Sequence, residues 1–177
     1  MTYDDGIRKG TTADVEELAA LYDALNDHLA ATVNHPGWRK GFYPVRENAL
    51  RAAEDGTLFV YMIGGKIAGS VILSHEPEEA YHTVTWLTDA DYQDILVIHT
   101  LAIHPDYLKR GVGRELIRFA ISYAKEQRQK SIRLDVYENN KPAIALYEKC
   151  GFQHIAKVDL GLGCFGLDYF QLYEYVL

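Results

Sequence analysis

The chain has 177 residues, of which 48% are hydrophobic, and its formal net charge is −7 at neutral pH. This length fits a single domain over residues 1–177, the acidic balance argues against a nucleic-acid partner, and no apolar run is long enough to span a membrane. The two cysteines, Cys150 and Cys164, have neither metal-ligand nor disulfide spacing, so we expect a cytoplasmic protein without a metal.

The N-terminal part of the chain predicts a strand followed by two helices. Residues 7–9 have the composition of a short strand, and Thr12 is suited to cap the helix that follows. Apolar residues then recur at helical spacing until the turn at residues 34–37. A second helix is expected from Pro44 or Val45 to residue 54.

The next part of the chain predicts further strands. Gly64-Gly65 separates the apolar runs 57–63 and 66–73, and two glycines in this position are typical of a tight β-hairpin. All charged residues in the segment 76–94 are acidic. The middle of that segment, residues 81–87, has the composition of a strand.

The most informative part of the chain joins a strand at residues 101–103 to a long helix at residues 115–130. Between them lies a short basic loop with two glycines. Gly111 and Gly113 are expected to let the main chain turn sharply. Main-chain N–H groups at the start of a helix, approached without a Cβ at the glycines, form a cradle suited to a phosphate. The predicted phosphate-binding residues are Leu108, Lys109, Arg110, Gly111, Val112, Gly113 and Arg114.

Two common phosphate motifs do not fit this loop. A P-loop has Lys followed by Ser or Thr after its second glycine, whereas Gly113 is followed by Arg114 and Glu115. A dinucleotide fingerprint needs a third glycine at the position of Leu116. Taken alone, a Gly-x-Gly loop is also compatible with a tight turn that binds nothing.

The C-terminal part of the chain completes an α/β pattern. Residues 132–137 alternate between apolar and polar side chains, which is typical of a strand. Asn140 is suited to cap a short helix over residues 143–149. Further strands are expected from Phe152 and over residues 167–176.

Three motifs in this order resemble the GNAT N-acetyltransferase superfamily. The family's Arg/Gln-x-x-Gly-x-Gly/Ala loop corresponds to residues 108–113, and its Asn-x-Ala-Ala-x-x-x-Tyr-x-x-x-Gly-Phe segment corresponds to residues 140–152. The family's splayed fourth strand corresponds to residues 101–105. Two positions differ, because Leu108 replaces the family's Arg or Gln and Pro142 replaces an alanine.

The resemblance implies an α/β fold in which a mostly antiparallel sheet of six or seven strands contains a parallel splayed pair and is flanked by about four helices. It also implies an acyltransferase that moves an acetyl group from acetyl-CoA to a primary amine by direct attack in a ternary complex. The cosubstrate contacts that it implies are the phosphate loop together with Leu101, Ala102, Ile103, Asn140, Ala143 and Tyr147.

Two side chains are candidates for proton transfer. Tyr147 matches the family's tyrosine near the CoA sulfur, where a phenol can donate a proton or a hydrogen bond to the thiolate. His99 lies two residues before Leu101, on the same face of the strand, and an imidazole can accept the ammonium proton directly or through a water. Purely structural roles for both residues stay open at this point.

The acceptor side is less well defined. Aromatic residues between the first two helices resemble the acceptor-side loop of some small GNAT enzymes, and other residues could face the acceptor, although all of them could equally cover the core. The acceptor is expected to be a small-molecule or peptide amine, and the protein could be a homodimer. The candidate acceptor-side residues are Trp38, Phe42, Tyr43, Tyr81, Trp86 and Asp168.

Two other functions remain open on the sequence. A catalytically inactive CoA-binding or acyl-CoA-binding sensor would keep the phosphate loop without needing Tyr147 or a base. A hydrolase would pair Cys150 or Cys164 with a histidine, although no local sequence supports such a pair.

Overall fold

A computed structural model describes residues 5–177, in which seven strands and four α-helices follow one another along the chain. The strands are β1 (Gly6–Lys9), β2 (Leu58–Ile63), β3 (Lys66–Ser74), β4 (Ile95–Ile103), β5 (Ser131–Tyr137), β6 (Gln153–Val158) and β7 (Phe170–Val176). The helices are α1 (Val15–Ala31), α2 (Arg46–Glu54), α3 (Val112–Glu126) and α4 (Lys141–Lys149). None of these helices is both long and apolar enough to cross a membrane.

The strands form a mixed sheet in the order β1-β2-β3-β4-β5-β7-β6. The β4–β5 pair is parallel, whereas β1–β2, β2–β3, β5–β7 and β6–β7 are antiparallel. This arrangement confirms the predicted mixed sheet with a parallel pair. The predicted hairpin is also confirmed, because Gly64 and Gly65 join β2 to β3 with φ angles of 60° and 75°, which glycine adopts without strain.

The described chain divides into two compact units. Unit 1 contains residues 5–34, 38–73 and 99–119, and unit 2 contains residues 35–37, 74–98 and 120–177. The single domain expected from the chain length stays a prediction. In unit 1, apolar side chains of α1, α2, β2 and β3 form one core, which includes Leu18, Leu21, Leu25, Ala49, Ala52, Leu58, Val60 and Ile67.

The start of α1 differs from the prediction. Residues Thr12–Asp14 form a short 3-10 turn, and α1 begins at Val15 rather than directly after Thr12. The Asp14 carboxylate accepts hydrogen bonds from the Thr11 amide at 2.8 Å and from both terminal nitrogens of Arg8 at 2.8 and 2.9 Å. These bonds stabilise the tight turn, and the Arg8 guanidinium lowers the pKa of Asp14.

The strand predicted over residues 81–87 is wrong. Residues Glu79–Thr83 form a 3-10 helix in unit 2, and Tyr81 is buried there in a cluster with Val97 and Leu172. The Tyr81 hydroxyl donates to Asp135 Oδ2 at 2.6 Å. The segment therefore takes its conformation from burying one aromatic residue rather than from pairing in a sheet.

A buried ion pair anchors the chain that follows this 3-10 helix. Glu174 on β7 is 0% exposed and Arg133 on β5 is 3% exposed. Glu174 Oε1 accepts from the Ser131 hydroxyl at 2.6 Å and from Arg133 Nε at 3.1 Å. Glu174 Oε2 accepts from the amides of Leu87 at 2.6 Å and Thr88 at 3.3 Å. The carboxylate thus joins two strands to the loop that precedes β4.

The guanidinium of Arg133 is satisfied in the same way. It donates to the Thr88 carbonyl at 2.6 Å and to the Tyr92 hydroxyl at 2.9 Å. It also lies over the rings of Trp86 and Tyr92, at 4.3 and 5.1 Å from their centroids. A buried charge with this many partners is compatible with a stable fold, whereas removal of one partner lowers the free energy of unfolding.

Candidate functional site

The predicted phosphate loop is a turn that leads into the N-terminus of α3. His104 accepts a hydrogen bond from the Asp106 amide at 3.1 Å and so starts a short 3-10 turn. Lys109 and Gly111 then adopt left-handed φ angles of 60° and 81°. The amide of Glu115 bonds to the Gly111 carbonyl at 3.0 Å, as expected for the first turn of the helix. The amides before Glu115 therefore belong to the end of α3 that favours anions.

The two glycines of this loop have different roles. Gly111 is exposed and has a positive φ, so it supplies backbone freedom. Gly113 lies inside the first turn of α3 and is buried. Both glycines were predicted to take part in the sharp turn, but the second left-handed residue is Lys109. What Gly113 contributes is the absence of a side chain beside the helix start.

Cationic side chains surround the loop. Lys109, Arg110 and Arg114 are exposed, and the Arg110 guanidinium lies 5.5 Å from the centroid of the Tyr107 ring. Val112 is buried in the core, so only its main chain is available to a ligand. Leu108, at the family's Arg or Gln position, is half-buried and adds no charge.

Strand β4 pairs with β5 over three residue pairs, from Ile95 opposite Ser131 to Val97 opposite Arg133. β4 then continues to Ile103, and Thr100 in this continuation has a φ of 46°. A β-branched residue rarely adopts a positive φ, and such strain costs about 1–3 kcal/mol. A kink of this kind in a strand changes the direction of the neighbouring main chain.

The predicted residues of β4 alternate in exposure around this kink. His99, Leu101 and Ile103 are half-buried, whereas Thr100 and Ala102 are buried. His99 therefore shares the half-exposed face with Leu101, as the spacing predicted. Ala102 is in the core of unit 1, so only its main chain can contact a ligand.

The aromatic loop between α1 and α2 contacts the kinked residue. The Tyr43 hydroxyl forms a hydrogen bond with the Thr100 hydroxyl. The rings of Trp38 and Tyr43 pack edge to face, with 5.6 Å between their centroids. Tyr43 is 37% exposed and Phe42 is 71% exposed, so neither ring belongs to the core. Sequence reasoning missed Thr100, because nothing in the local sequence signals a threonine at a left-handed position.

The predicted residues at the start of α4 contact each other. Asn140 Oδ1 accepts a hydrogen bond from the Ala143 amide at 3.4 Å, which confirms the predicted cap. Pro142 occupies the first turn, where its missing N–H is not needed. Any contact of Asn140 or Ala143 with a cosubstrate stays a prediction.

Tyr147, near the end of α4, is 6% exposed and packs against Phe152 with 5.9 Å between ring centroids. Burial raises the pKa of Tyr147 well above its usual range, and the negative charge of Asp135 and the nearby Cys150 raise it further. A thiol has an ordinary pKa of about 8.5. The Tyr147 phenol is therefore suited to donate a hydrogen bond to a thiolate rather than to give up its proton.

Asp135 is a residue that sequence reasoning missed. It is half-buried in the middle of β5, where aspartate is uncommon, and it accepts the Tyr81 hydrogen bond. The predicted acceptor-side residue Tyr81 is only 1% exposed, because its ring fills the core of unit 2. Asp168 is exposed beside the turn at Gly163. Acceptor roles for Tyr81 and Asp168 stay predictions.

The cysteines and other metal-binding side chains form no cluster in the described part of the chain. No group of three or more His, Cys, Asp or Glu residues there could hold a metal ion. Cys150 is half-buried directly after α4, and Cys164 is exposed.

Comparisons with known proteins agree with this architecture. The model of the acetyltransferase (GNAT) family matches residues 18–152, which include the predicted phosphate loop and Tyr147. An uncharacterized N-acetyltransferase of Methanocaldococcus jannaschii is 28% identical over 154 residues, covering 83% of this chain and 60% of that protein. The chain spans 60%, 27% and 48% of the lengths of the first curated relatives it matches.

Two solved structures share the fold. A GNAT family acetyltransferase from Streptococcus agalactiae has a TM-score of 0.81 at 21% identity, covering 97% of this chain and 94% of that one. A structure from Salmonella typhimurium with its cofactor acetyl-CoA has a TM-score of 0.69 at 16% identity, covering 99% and 95% of the two chains. The family match confirms the predicted family. By the extent of this match, the chain is a member of the acetyltransferase (GNAT) family.

Proposed function

We propose that the chain is an N-acetyltransferase that moves the acetyl group of acetyl-CoA to a primary amine by direct attack in a ternary complex. The observation that carries the proposal is the loop at residues 108–114. Its left-handed residues Lys109 and Gly111 precede the N-terminus of α3, where the first amides of a helix have no intrahelical partner and the positive helix end favours a diphosphate. Acetyl-CoA contains a diphosphate and supplies an activated acetyl thioester.

The residues around the loop fit such a ligand. Lys109, Arg110 and Arg114 are exposed cations that can pair with phosphate oxygens. The first two compensate for the missing side-chain contact at Leu108. Gly113 presents no Cβ in the first turn of α3.

The kinked strand β4 provides the groups that would act on the acetyl thioester and on the attacking amine. The main chain of residues 101–103 is suited to hydrogen-bond an extended chain such as pantetheine. An N–H group beside the Thr100 kink would polarise the acetyl carbonyl, and such a donor is typically worth about 3 kcal/mol in the transition state. His99, on the half-exposed face, accepts the proton of the attacking ammonium directly or through a water.

Tyr147 completes the proposed set of catalytic groups. Because its phenol stays neutral, it can donate a hydrogen bond to the departing thiolate over the whole working pH range. Tyr43 and Trp38 form the proposed acceptor side, since Tyr43 bonds to the kinked strand, Trp38 packs on Tyr43, and both remain partly exposed. The proposed acceptor is a small-molecule or peptide amine. The proposal also includes a homodimeric protein in the cytoplasm.

The direct test is acetyl transfer itself. The full chain is mixed with acetyl-CoA and a panel of primary amines, among them peptides, lysine derivatives and polyamines, and free CoA thiol is measured together with the mass of the amine. We expect thiol release in equal amount to an amine heavier by one acetyl group. Tight acetyl-CoA binding without release for any amine would instead identify an inactive CoA-binding module.

Replacement of Gly113 by valine is expected to weaken acetyl-CoA binding by about tenfold or more, which corresponds to about 1.4 kcal/mol. The β-branched side chain would fill the space beside the first turn of α3 and keep the diphosphate from the amides. Calorimetric titration with acetyl-CoA measures the effect. Ala30→Val, at an exposed helical position of α1 outside the loop, serves as the control, and equal affinity in both variants would contradict the cradle.

Replacement of His99 by alanine is expected to lower kcat/KM for the amine by about 10²-fold. The reason is that the variant lacks the imidazole that accepts the proton of the attacking ammonium. Steady-state kinetics with a saturating acetyl-CoA concentration check this expectation. His28→Ala, on α1, is the matched control. A His99→Ala variant that keeps the wild-type rate would exclude His99 as the base.

A further inference from the structure

Unit 1 contains buried polar side chains that the proposed chemistry does not use. Tyr22 and Asn26 lie one helical turn apart on α1, and Ser70 lies on β3. Their exposed fractions are 0%, 2% and 0%. Within residues 5–177, the Tyr22 hydroxyl, Asn26 Oδ1 and the Ser70 hydroxyl have no hydrogen-bond partner. Such atoms are rare in folded proteins, because each one loses its hydration without compensation.

These three atoms belong to one interior region. The Ser70 hydroxyl is near enough to the Tyr22 phenol to oppose the rise in its pKa that burial causes, yet the two oxygens lack the geometry of a hydrogen bond. Residues at i and i+4 of a helix share a face, so Asn26 lies beside Tyr22. Tyr43 is also close, since its carbonyl accepts a hydrogen bond from Asn26 Nδ2 at 3.3 Å and its phenol helps to raise the pKa of Tyr22.

We propose that Tyr22, Asn26 and Ser70 enclose an internal water-binding site. This site helps to hold Tyr43 in place and, through Tyr43, the kink at Thr100. The two hydroxyls can donate or accept, and Asn26 Oδ1 accepts, so together they match the donors and acceptors of a water. A buried water typically makes about three hydrogen bonds, which is the number of atoms available here. None of the three side chains is charged at neutral pH, which disfavours an ion.

The site has a consequence for the acceptor side. Tyr43 is held at two points, by Asn26 at its carbonyl and by Thr100 at its hydroxyl. A water bound to Asn26 fixes the orientation of that amide, and the amide in turn fixes the main chain of Tyr43. Tyr22, Asn26 and Ser70 are thus positioning residues for an acceptor-side residue. This consequence, unlike the water site, rests on the proposed acetyl transfer.

A high-resolution crystal structure of the full chain tests the site directly. We expect electron density for a water within hydrogen-bond distance of at least two of the Tyr22, Asn26 and Ser70 oxygens. The proposal is overturned if that space is dry in a crystal that shows other buried waters, or if a side-chain rotation pairs the three atoms with one another.

The direction in which Tyr22→Phe shifts the urea midpoint of unfolding gives a second test. If a water pairs with the Tyr22 hydroxyl, Tyr22→Phe removes a hydrogen bond and lowers the urea midpoint of unfolding. If the hydroxyl is unpaired, the same substitution removes a buried polar group and leaves the midpoint equal or higher, which overturns the proposal. Tyr81→Phe is the matched reference, because the buried Tyr81 hydroxyl has a direct partner in Asp135.

Kinetics then test the positioning role separately. Ser70→Ala is expected to raise KM for the amine severalfold while the Kd for acetyl-CoA stays unchanged, because only the acceptor side loses support. An unchanged amine KM overturns the positioning role. If wild-type protein acetylates no amine, the proposed function fails, whereas the crystal structure and the urea midpoints still decide whether the water site exists.

Discussion

Replacement of Tyr147 by phenylalanine is expected to reduce kcat by about 10²-fold while acetyl-CoA affinity stays unchanged. The substitution keeps the ring that packs on Phe152 and removes only the hydroxyl that would stabilise the thiolate. Steady-state kinetics and calorimetric titration separate the two effects. Tyr169→Phe is the matched control, since Tyr169 is exposed and its ring contact with Lys157 survives the change. Turnover of Tyr147→Phe at the wild-type rate would remove Tyr147 from the mechanism.

The same phenol predicts a pH dependence. The pKa of Tyr147 is raised by burial and then by the charge of Asp135, so the donating, neutral form persists above the pH at which an exposed tyrosine ionises. Asp135→Asn removes the charge but keeps an oxygen that can accept from Tyr81. The pKa of Tyr147 should then fall, which titration of the tyrosinate absorbance measures when the same titration of Tyr147→Phe is the reference. A Tyr147 titration that is unchanged in Asp135→Asn would contradict this coupling.

Replacement of Glu174 by glutamine is expected to lower the free energy of unfolding by about 3–5 kcal/mol. The carboxylate accepts four hydrogen bonds, two on each oxygen, and one of the donors is the buried Arg133 guanidinium. An amide has only one accepting oxygen, so its NH₂ group would face donors and the charge of Arg133 would lose its counter-ion. Urea denaturation followed by circular dichroism measures the loss.

An exposed ion pair provides the control for this substitution. Asp27 is 61% exposed and pairs with Lys40 at 2.9 Å. Asp27→Asn should change the free energy of unfolding by no more than about 0.5 kcal/mol, because solvent screens the pair. If Glu174→Gln is as mild as Asp27→Asn, the buried network does not anchor the loop before β4.

The elements that the sequence predicted well depend on neighbouring residues. Gly64-Gly65 determines a hairpin because both residues need a positive φ, and Asn140 caps α4 because its side chain reaches an amide three residues away. The strand, glycine-containing turn and helix start around residues 108–114 were predicted for the same reason, since they follow one another directly, whereas their binding of a phosphate stays a prediction. In each case the physical cause acts over a few residues, so the local sequence is enough to predict it.

The elements that the sequence did not predict depend on distant partners. Residues 81–87 have the composition of a strand, yet Tyr81 folds inward to Asp135, 54 positions away. Thr100 takes a strained backbone angle beside Tyr43, 57 positions away, and Arg133 is buried because Glu174, 41 positions away, compensates its charge.

The amino-acid sequence by itself therefore determined the family, the order of most elements and the glycine-containing turn before α3. The tertiary structure decided the burial of Tyr147 and hence its raised pKa, the kink of β4, and the pairing of charges inside unit 2. The physical reason is that burial and electrostatic pairing are set by groups brought together only when the chain folds.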